Sequence, residues 1–477
     1  MDPMAALRCE CETPTPSPRR VRGEKPIYVG VSNRRGPVIN WKHRYMKILA
    51  LTAGAARMYC GSCLRDNTLA AELGKQGHDV TLLPLYTPTR TDEPNASYPK
   101  VFLNGISVCL YQQAAFFRKT RLLDRLWDAP WMLNLASRTS LQVDPHLLGA
   151  MAVSMLRGEE GFQLKEIRKL TTWLRSQPAP DLVVLPNSLL IGLARPIREA
   201  VNRPICCMLQ GEELFLDQLR EPYRTQSLEL IRAQVAGVDG FAAVSQYSAD
   251  YWRRRLDIPE RRMYVIPLGI NLEGYDRGER LPHPAFTIGF FARVAPEKGL
   301  HLLVESYIRL RRETDFGGSA LRAAGYLAPE HRSYLRGLER RMKEAGLAHE
   351  FRYLGELDRG QKIEYLQSLD LLSVPSTYDE PKGIFLLEAM AAGAVAVQPR
   401  RGAFPEILEK TGGGILVEPD DAARLADAVY RLWKDPERVA ELRRRGLQGV
   451  RLHCGASHMA ARAVEAFSAM ATAAAHA

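Results

Sequence analysis

Long hydrophobic runs are missing: nowhere in the 477 residues do 18 apolar side chains follow one another, so no membrane-spanning helix is expected. The first residues contain no apolar h-region either, which argues against a secretory signal peptide and for a chain that stays in the cytoplasm. Cysteine is sparse. The eight (9, 11, 60, 63, 109, 206, 207 and 454) lie in a long chain without a secretion signal, and a disulfide framework is not expected there. Cys206 and Cys207 sit inside an apolar run and are expected in the core. No D-x-D or H-x-x-x-H pair stands where it would suit a metal, so the chemistry is expected to be metal-independent, without a cofactor. No G-x-G-x-x-G follows the first strand, whose exit reads TAGAARMYCGSC. That argues against a nicotinamide-dependent oxidoreductase.

The length exceeds one ordinary core and implies two or three domains. With 46% hydrophobic and 25% charged residues, the composition is that of a globular protein. A net charge of +11 suits an anionic partner such as a nucleotide or a phospholipid headgroup. Part of the excess is local, because residues 1–45 carry nine basic and four acidic side chains, so charge alone does not imply nucleic-acid binding. That Pro- and Arg-rich segment is expected to be disordered, or to reflect a start site set too early, since Met46 directly precedes the first strand.

From Met46 onward, short apolar runs alternate with longer amphipathic ones. KILALT (47–52), DVTLLPLY (79–86), DLVVLP (181–186), PICCML (204–209), GFAAVS (240–245) and MYVIPL (263–268) read as strands. Most are continuously apolar, as parallel strands covered on both faces are. A second series follows: FTIGFF (286–291), LRAAGY (321–326), FRYLG (351–355), DLLSVP (370–375), AVAVQP (394–399) and GILVEP (414–419). Helical patterns such as NTLAAELGKQGH and LLIGLARPIREAVN separate the strands. The reading is two α/β domains in tandem, each doubly wound. They span 46–272 and 273–451, with a Gly- and Pro-rich hinge within 268–284 and a last helix in 452–477 that crosses back. Two such sheets facing each other make a cleft at the carboxyl ends of their strands.

The most informative stretch is PSTYDEPKGIFLLEAMAAG (375–393). Pro381 and Gly383 place a helix start near Lys382 to Ile384, leaving Glu380 at its mouth and Glu388 in its second turn. Eight residues span roughly 12 Å at most, and the N–H groups of Gly383, Ile384, Phe385 and Leu386 offer an anion site between the two carboxylates. A ligand with a sugar at one end, a diphosphate in the middle and a ribose at the other fits that layout. A helix-capping Glu and a surface Glu would give the same spacing.

Glu380-x7-Glu388 in this setting resembles the E-x7-E motif of retaining GT-B glycosyltransferases, in particular family 4. GFFARVAPEKGLHLLVES (289–306), RRGAFPEILEKTGGGILVEPDDAARLADAV (400–429), VSQYSADYW (244–252) and VIPLGINLEGY (265–275) match family segments in order. The resemblance covers essentially all of 46–450. It implies a GT-B fold of two Rossmann-like domains and transfer of a sugar from a UDP-, GDP- or ADP-type donor with retention at the anomeric carbon. It assigns Glu380 to the donor sugar hydroxyls, Glu388 to the ribose, and Arg293 and Lys298 to the diphosphate; Glu380, Arg293 and Lys298 are the expected catalytic set. Front-side departure, with the leaving diphosphate taking the acceptor's proton, suits such a site.

Two positions depart from the family pattern. Gln210 stands where the family places a His near the sugar; it can hydrogen-bond a hydroxyl but cannot titrate. Lys382 replaces an aromatic or Gly, and is either a solvated side chain or a further phosphate or acceptor contact. Gln210, Glu212, Arg65, Asn67 and Lys382 are the expected acceptor or sugar contacts.

The cysteine pair of MYCGSCLRDN (58–67) falls where the family has a glycine-rich turn after the first strand. There Gly61 and Ser62 would let the donor diphosphate or the acceptor approach the backbone, with Cys60 and Cys63 as small cleft-lining side chains. A C-x-x-C at a helix start also suits a thiol–disulfide oxidoreductase, which would leave the second domain's motifs unused. A non-catalytic nucleotide-sugar or carbohydrate-binding relic is the other alternative. The acceptor, whether glycan, lipid-linked or small molecule, is not written in the sequence. Residues 114–133 mix Phe116, Phe117, Trp127 and Trp131 with Arg118, Lys119, Arg121 and Arg125, a pattern suited either to peripheral contact with an anionic membrane face or to a packed helix with solvated arginines.

Overall fold

The computed structural model describes residues 45–54, 60–103, 145–275 and 285–475. The basic tail, the 114–133 stretch and the later part of the hinge lie outside these. The first domain holds strands β1 (Lys47–Thr52), β2 (Asp79–Pro84), β3 (Leu182–Leu185), β4 (Ile205–Leu209), β5 (Gly240–Ala243) and β6 (Met263–Val265). Its helices are α1 (Gly61–Lys75), α2 (Pro145–Leu156), α3 (Leu164–Arg175), α4 (Ala194–Val201), α5 (Glu213–Gln218), α6 (Tyr223–Gln234) and α7 (Gln246–Leu256). The second domain holds β7 (Phe286–Phe291), β8 (Ser319–Ala324), β9 (Phe351–Tyr353), β10 (Leu371–Leu372), β11 (Val395–Pro399) and β12 (Gly414–Val417). With them run α8 (Leu300–Glu313), α9 (Arg332–Glu344), α10 (Arg359–Gln367), α11 (Ile384–Ala391), α12 (Phe404–Thr411), α13 (Ala422–Lys434) and α14 (Pro436–His453), and the last helix is α15 (Ala456–Ala475).

Every strand expected from the apolar runs is present, and every pairing among them is parallel. The two sheets run β2-β1-β3-β4-β5-β6 and β12-β11-β10-β7-β8-β9. The second order is that of a doubly wound sheet, with its switch point between β7 and β10; in the first sheet the order turns between β1 and β3. β3, β4 and β5 are buried along their whole length because helices cover both faces.

Several strands end earlier than their apolar runs, and two shifted boundaries have clear local causes. β8 ends at Ala324 because Gly325 turns with φ +133°, where a Cβ would lie 2.0 Å from the Ala292 carbonyl oxygen. α1 begins at Gly61, six residues earlier than the amphipathic pattern shows, with Leu64 N–H already bonded to the Cys60 carbonyl at 2.9 Å. The turn therefore closes at Cys60, and Arg65 and Asn67 belong to a helix.

The chain passes between the domains twice at one place. Ile270 N–H donates to the Cys454 carbonyl, and Ala456 N–H donates to the Ile270 carbonyl, both at 2.9 Å. α14 packs on α11 and α12 of the second domain, whereas α15 lies on α1 and β6 of the first. Both domains belong to one unit, Trp41–Ala477.

Candidate functional site in the interdomain cleft

The loops leaving β7 and β10, at the switch point of the second sheet, bring Lys298 and Glu380 together. Gly299, at φ +75°, has no room for a side chain, since a Cβ there would sit 1.9 Å from the Pro375 carbonyl oxygen. That contact holds the Lys298 turn against the exit of β10. Lys298 Nζ pairs with Glu380 Oε2 and donates to Tyr378 Oη at 2.5 Å, and the Tyr378 hydroxyl donates to the same carboxylate oxygen at 2.5 Å. Glu380 is 3% exposed and Lys298 8%. Burial alone would raise the Glu380 carboxyl, but the charge and hydrogen bond of Lys298, with the Tyr378 hydroxyl, hold it below the usual range. Behind it, Ala403 N–H bonds the Glu380 carbonyl at 2.8 Å. Arg293, the second expected cation, is partly exposed and donates to Glu297 at 3.1 Å instead.

Gly383 caps the start of α11, and its φ of +100° turns the chain into the helix. Leu386 N–H bonds the Gly383 carbonyl, so the anion site narrows to the N–H groups of Gly383, Ile384 and Phe385. Glu388, the single polar side chain on a helix buried almost all round, accepts from Lys362 Nζ at 2.5 Å and from Tyr275 Oη at 3.5 Å. Lys362 Nζ also pairs with Asp92, which reaches over from the first domain. Burial opposes the Lys362 charge, yet Glu388 and Asp92 outweigh it and hold the ammonium above its ordinary value.

The first domain presents α1, the β4–α5 loop and the start of α7 to this surface. Lys382 Nζ donates to Ser62 Oγ across the cleft at 2.9 Å, and a Cβ on Gly61 would lie 3.7 Å from Ile384 Cδ1. Gly61, Ser62 and Lys382 thus meet at one point. Ser245 Oγ donates to the Pro381 carbonyl at 2.9 Å, and Gln246 and Tyr247 N–H, opening α7, donate to Glu406.

Four expected contacts are committed to building the first domain. Asn67 is fully buried, its amide donating to the Pro94 carbonyl and accepting from Ala96 N–H. Arg65 pairs with Asp66 at 3.1 Å. Glu212 accepts from Ser188 N–H and Oγ and from Gln210 N–H, at 2.8–2.9 Å. Gln210 donates to the Pro186 carbonyl and to Asp66, which leaves its buried oxygen unpartnered. The early start of α1 explains Arg65 and Asn67: a helical path turns them into the fold.

The sequence reading passed over Tyr378, Lys362, Asp92 and Glu213. Tyr378 stands two residues before Glu380, so its proximity was readable; nothing in sequence links Asp92 or Lys362 to Glu388. Glu213 is 8% exposed with one oxygen unpartnered. Burial, helped by the neighbouring Glu212 charge, raises its carboxyl to about 8. A glutamate in the unfolded chain ionises near pH ~4.3, so between that value and about 8 the unfolded chain has lost a proton that the folded protein keeps. Stability is then full at acid pH and falls as pH rises through this window, by roughly 5 kcal/mol in all. Glu213→Gln is expected to flatten that decline; urea denaturation across the window checks it, and a profile superimposable on the wild type would refute it.

Comparison with known proteins agrees with this architecture. Residues 67–273 match the model described as Glycosyltransferase Family 4, and 274–448 match Glycosyl transferases group 1. The chain belongs to glycosyltransferase family 4. It is 33% identical over 165 residues to a lipopolysaccharide core biosynthesis mannosyltransferase of Rhizobium meliloti, covering 34% of this chain and 45% of the relative. It is 30% identical over 176 residues to a phosphatidyl-myo-inositol mannosyltransferase of Mycobacterium leprae, covering 36% and 44%. The matches therefore span under half of each relative's length. The fold is that of GT-B glycosyltransferases: sucrose-phosphate synthase of Thermosynechococcus elongatus superposes with a TM-score of 0.63 at 17% identity, covering 87% of this chain and 96% of that one. Anabaena HepE, solved in complex with UDP and glucose, gives 0.61 at 16% identity, covering 88% and 99%. Among the described residues of this family 4 chain, no helix is long and apolar enough to cross a membrane.

Proposed function

We propose that this family 4 protein is a retaining, metal-independent glycosyltransferase that moves a sugar from a nucleoside diphosphate donor to an acceptor held by the first domain. The observation that carries this reading is the Lys298–Glu380–Tyr378 cluster beside the start of α11, at the switch point of the second sheet. An ionised carboxylate accepts hydrogen bonds from sugar hydroxyls, while Lys298, Arg293 and the N–H groups of Ile384 and Phe385 neutralise charge building on a leaving diphosphate. Glu388, with Lys362 beside it, takes the ribose. The leaving diphosphate itself removes the acceptor's proton on the front face. Gly61 and Ser62, joined to Lys382 across the cleft, close over the donor from the facing domain. The relatives' mannosyl specificity makes a mannosyl donor the first to test, and the UDP bound by HepE makes UDP conjugates the second. Reaction takes place in the cytoplasm, with peripheral contact through 114–133 for a lipid-linked acceptor.

A thermal-shift screen with UDP, GDP, ADP and their sugar conjugates tests the donor reading. One nucleotide class is expected to raise the melting temperature of the wild type and to lose most of that shift in Glu388→Ala. No shift with any of them, or an equal shift in the variant, would count against it. The engagement of Gln210 inside the first domain favours a second reading, a carbohydrate-binding relic without turnover; donor hydrolysis by the purified protein distinguishes the two.

A further inference from the structure

We propose that Cys60 and Cys63 form an oxidisable dithiol at the mouth of the interdomain cleft, a modification site at which a hydroperoxide converts the two thiols into a disulfide. The two residues stand three apart at the start of α1, Cys60 at the N-cap and Cys63 in the first turn. Helical spacing puts their Cα atoms about 5 Å apart, inside the range a disulfide spans without moving the backbone. Their exposure is divided as such a reaction needs. Cys60 is half-buried and faces the cleft, while Cys63 is 1% exposed with Thr52 Oγ1 at 3.9 Å from its sulfur. Lys382 closes over this turn from the opposite domain, its ammonium on Ser62 Oγ at 2.9 Å.

The surroundings separate the two sulfurs chemically. Interaction with the Cys63 sulfhydryl, and, against the cost of burial, the Lys382 charge and the N–H groups of Cys63 and Ser62, hold the Cys60 thiol well below its ordinary value. The same interaction, with burial and the nearby Asp66, pushes Cys63 up. Cys60 is thus the thiolate that attacks and Cys63 the thiol that keeps its proton until it resolves the product. The other described cysteines differ: Cys206, Cys207 and Cys454 are buried, and burial raises all three.

The reaction balances as follows. The Cys60 thiolate attacks one peroxide oxygen and the O–O bond breaks; the departing alkoxide or hydroxide takes a proton and leaves as alcohol or water, and Cys60 becomes a sulfenic acid. The Cys63 sulfur then attacks the Cys60 sulfur, the S–S bond forms, the S–O bond breaks, and the hydroxyl leaves as water with the Cys63 proton. The two thiols give two electrons to the peroxide, and a dithiol reductant returns them. Oxidation removes the negative charge facing Lys382, the residue that joins the two domains at this point.

The test uses the reduced full-length chain treated with a small excess of hydrogen peroxide, followed by peptide mapping without reductant. The expected product is one peptide carrying a Cys60–Cys63 disulfide, lighter by two hydrogens and restored by dithiothreitol. In Cys63→Ser the reaction is expected to stop at a Cys60 sulfenic acid that a dimedone-type reagent traps. Iodoacetamide at neutral pH is expected to label Cys60 at least about tenfold faster than glutathione. A Cys60–Cys63 peptide that retains both thiols, or Cys60 labelling no faster than glutathione, would overturn the proposal. Neither readout needs a nucleotide, so failure here leaves the donor reading to its own thermal-shift test.

Discussion

Glu380→Gln is expected to lower the rate of sugar transfer by about 10²- to 10³-fold while leaving a nucleoside diphosphate bound within a few-fold of wild type. The substitution keeps the shape of the side chain and removes its charge. Glu380 now holds Lys298 and Tyr378 on a single carboxylate oxygen, which leaves the other oxygen for a sugar hydroxyl. A neutral amide can still accept one hydrogen bond, but it cannot strengthen that bond as positive character grows at the anomeric carbon. The loss therefore falls on kcat rather than on nucleotide affinity. Lys298→Met is expected to act on both, because in the proposed donor mode the ammonium faces the diphosphate in the ground state as well. The comparison is read from steady-state kinetics with the nucleotide Kd measured separately. A Glu380→Gln enzyme that loses affinity and keeps its kcat would make Glu380 a binding group only. Removing the carboxylate also leaves Lys298 buried beside a weaker partner, so circular dichroism and a melting curve must accompany the kinetics.

How much of this was legible in the sequence depends on what each feature requires. The strands were readable because parallel strands buried on both faces are written as continuous apolar runs. The start of α11 was readable because Pro381 and Gly383 restrict the backbone locally, and the structure places the helix at Ile384–Ala391. The grouping of Lys298 with Glu380 came from family resemblance, since 82 residues separate them and no local rule connects them. The start of α1 was misjudged. Gly61, Ser62 and Cys63 have weak helix propensity and read as a turn, but eight residues of α1, from Cys63 to Leu73, are buried, and tertiary packing overrides the local preference. That shift carried Arg65 and Asn67 from expected ligand contacts into the fabric of the first domain. Glu213 was overlooked for a related reason: a carboxylate in GEELFLD looks solvated until the facing domain covers it.

The ion pairs that close the cleft lead to the second large effect. Lys362→Met is expected to destabilise the protein by about 3 to 5 kcal/mol, far more than loss of the exposed Arg90–Glu356 pair that also joins the domains. Three cross-domain pairs run from the 90–93 segment to the second domain: Arg90–Glu356, Glu93–Arg359 and Asp92–Lys362. Arg90 is 39% and Glu356 28% exposed at the side chain, so water and salt screen that pair and its loss costs about 1 kcal/mol or less. Lys362, Asp92 and Glu388 are only 4–6% exposed. With the ammonium gone, two buried carboxylates face each other without the cation that joins them. A further Asp92→Asn substitution on the Lys362→Met background is expected to recover part of the loss at neutral pH by removing one of the stranded charges. Asp92→Asn alone is expected to cost less, since Lys362 keeps Glu388 as its partner. Denaturant unfolding of the two single variants and the double variant closes the cycle. Additive losses would show that Asp92 and Lys362 act independently, and the cleft would then be held shut by contacts other than this buried triad.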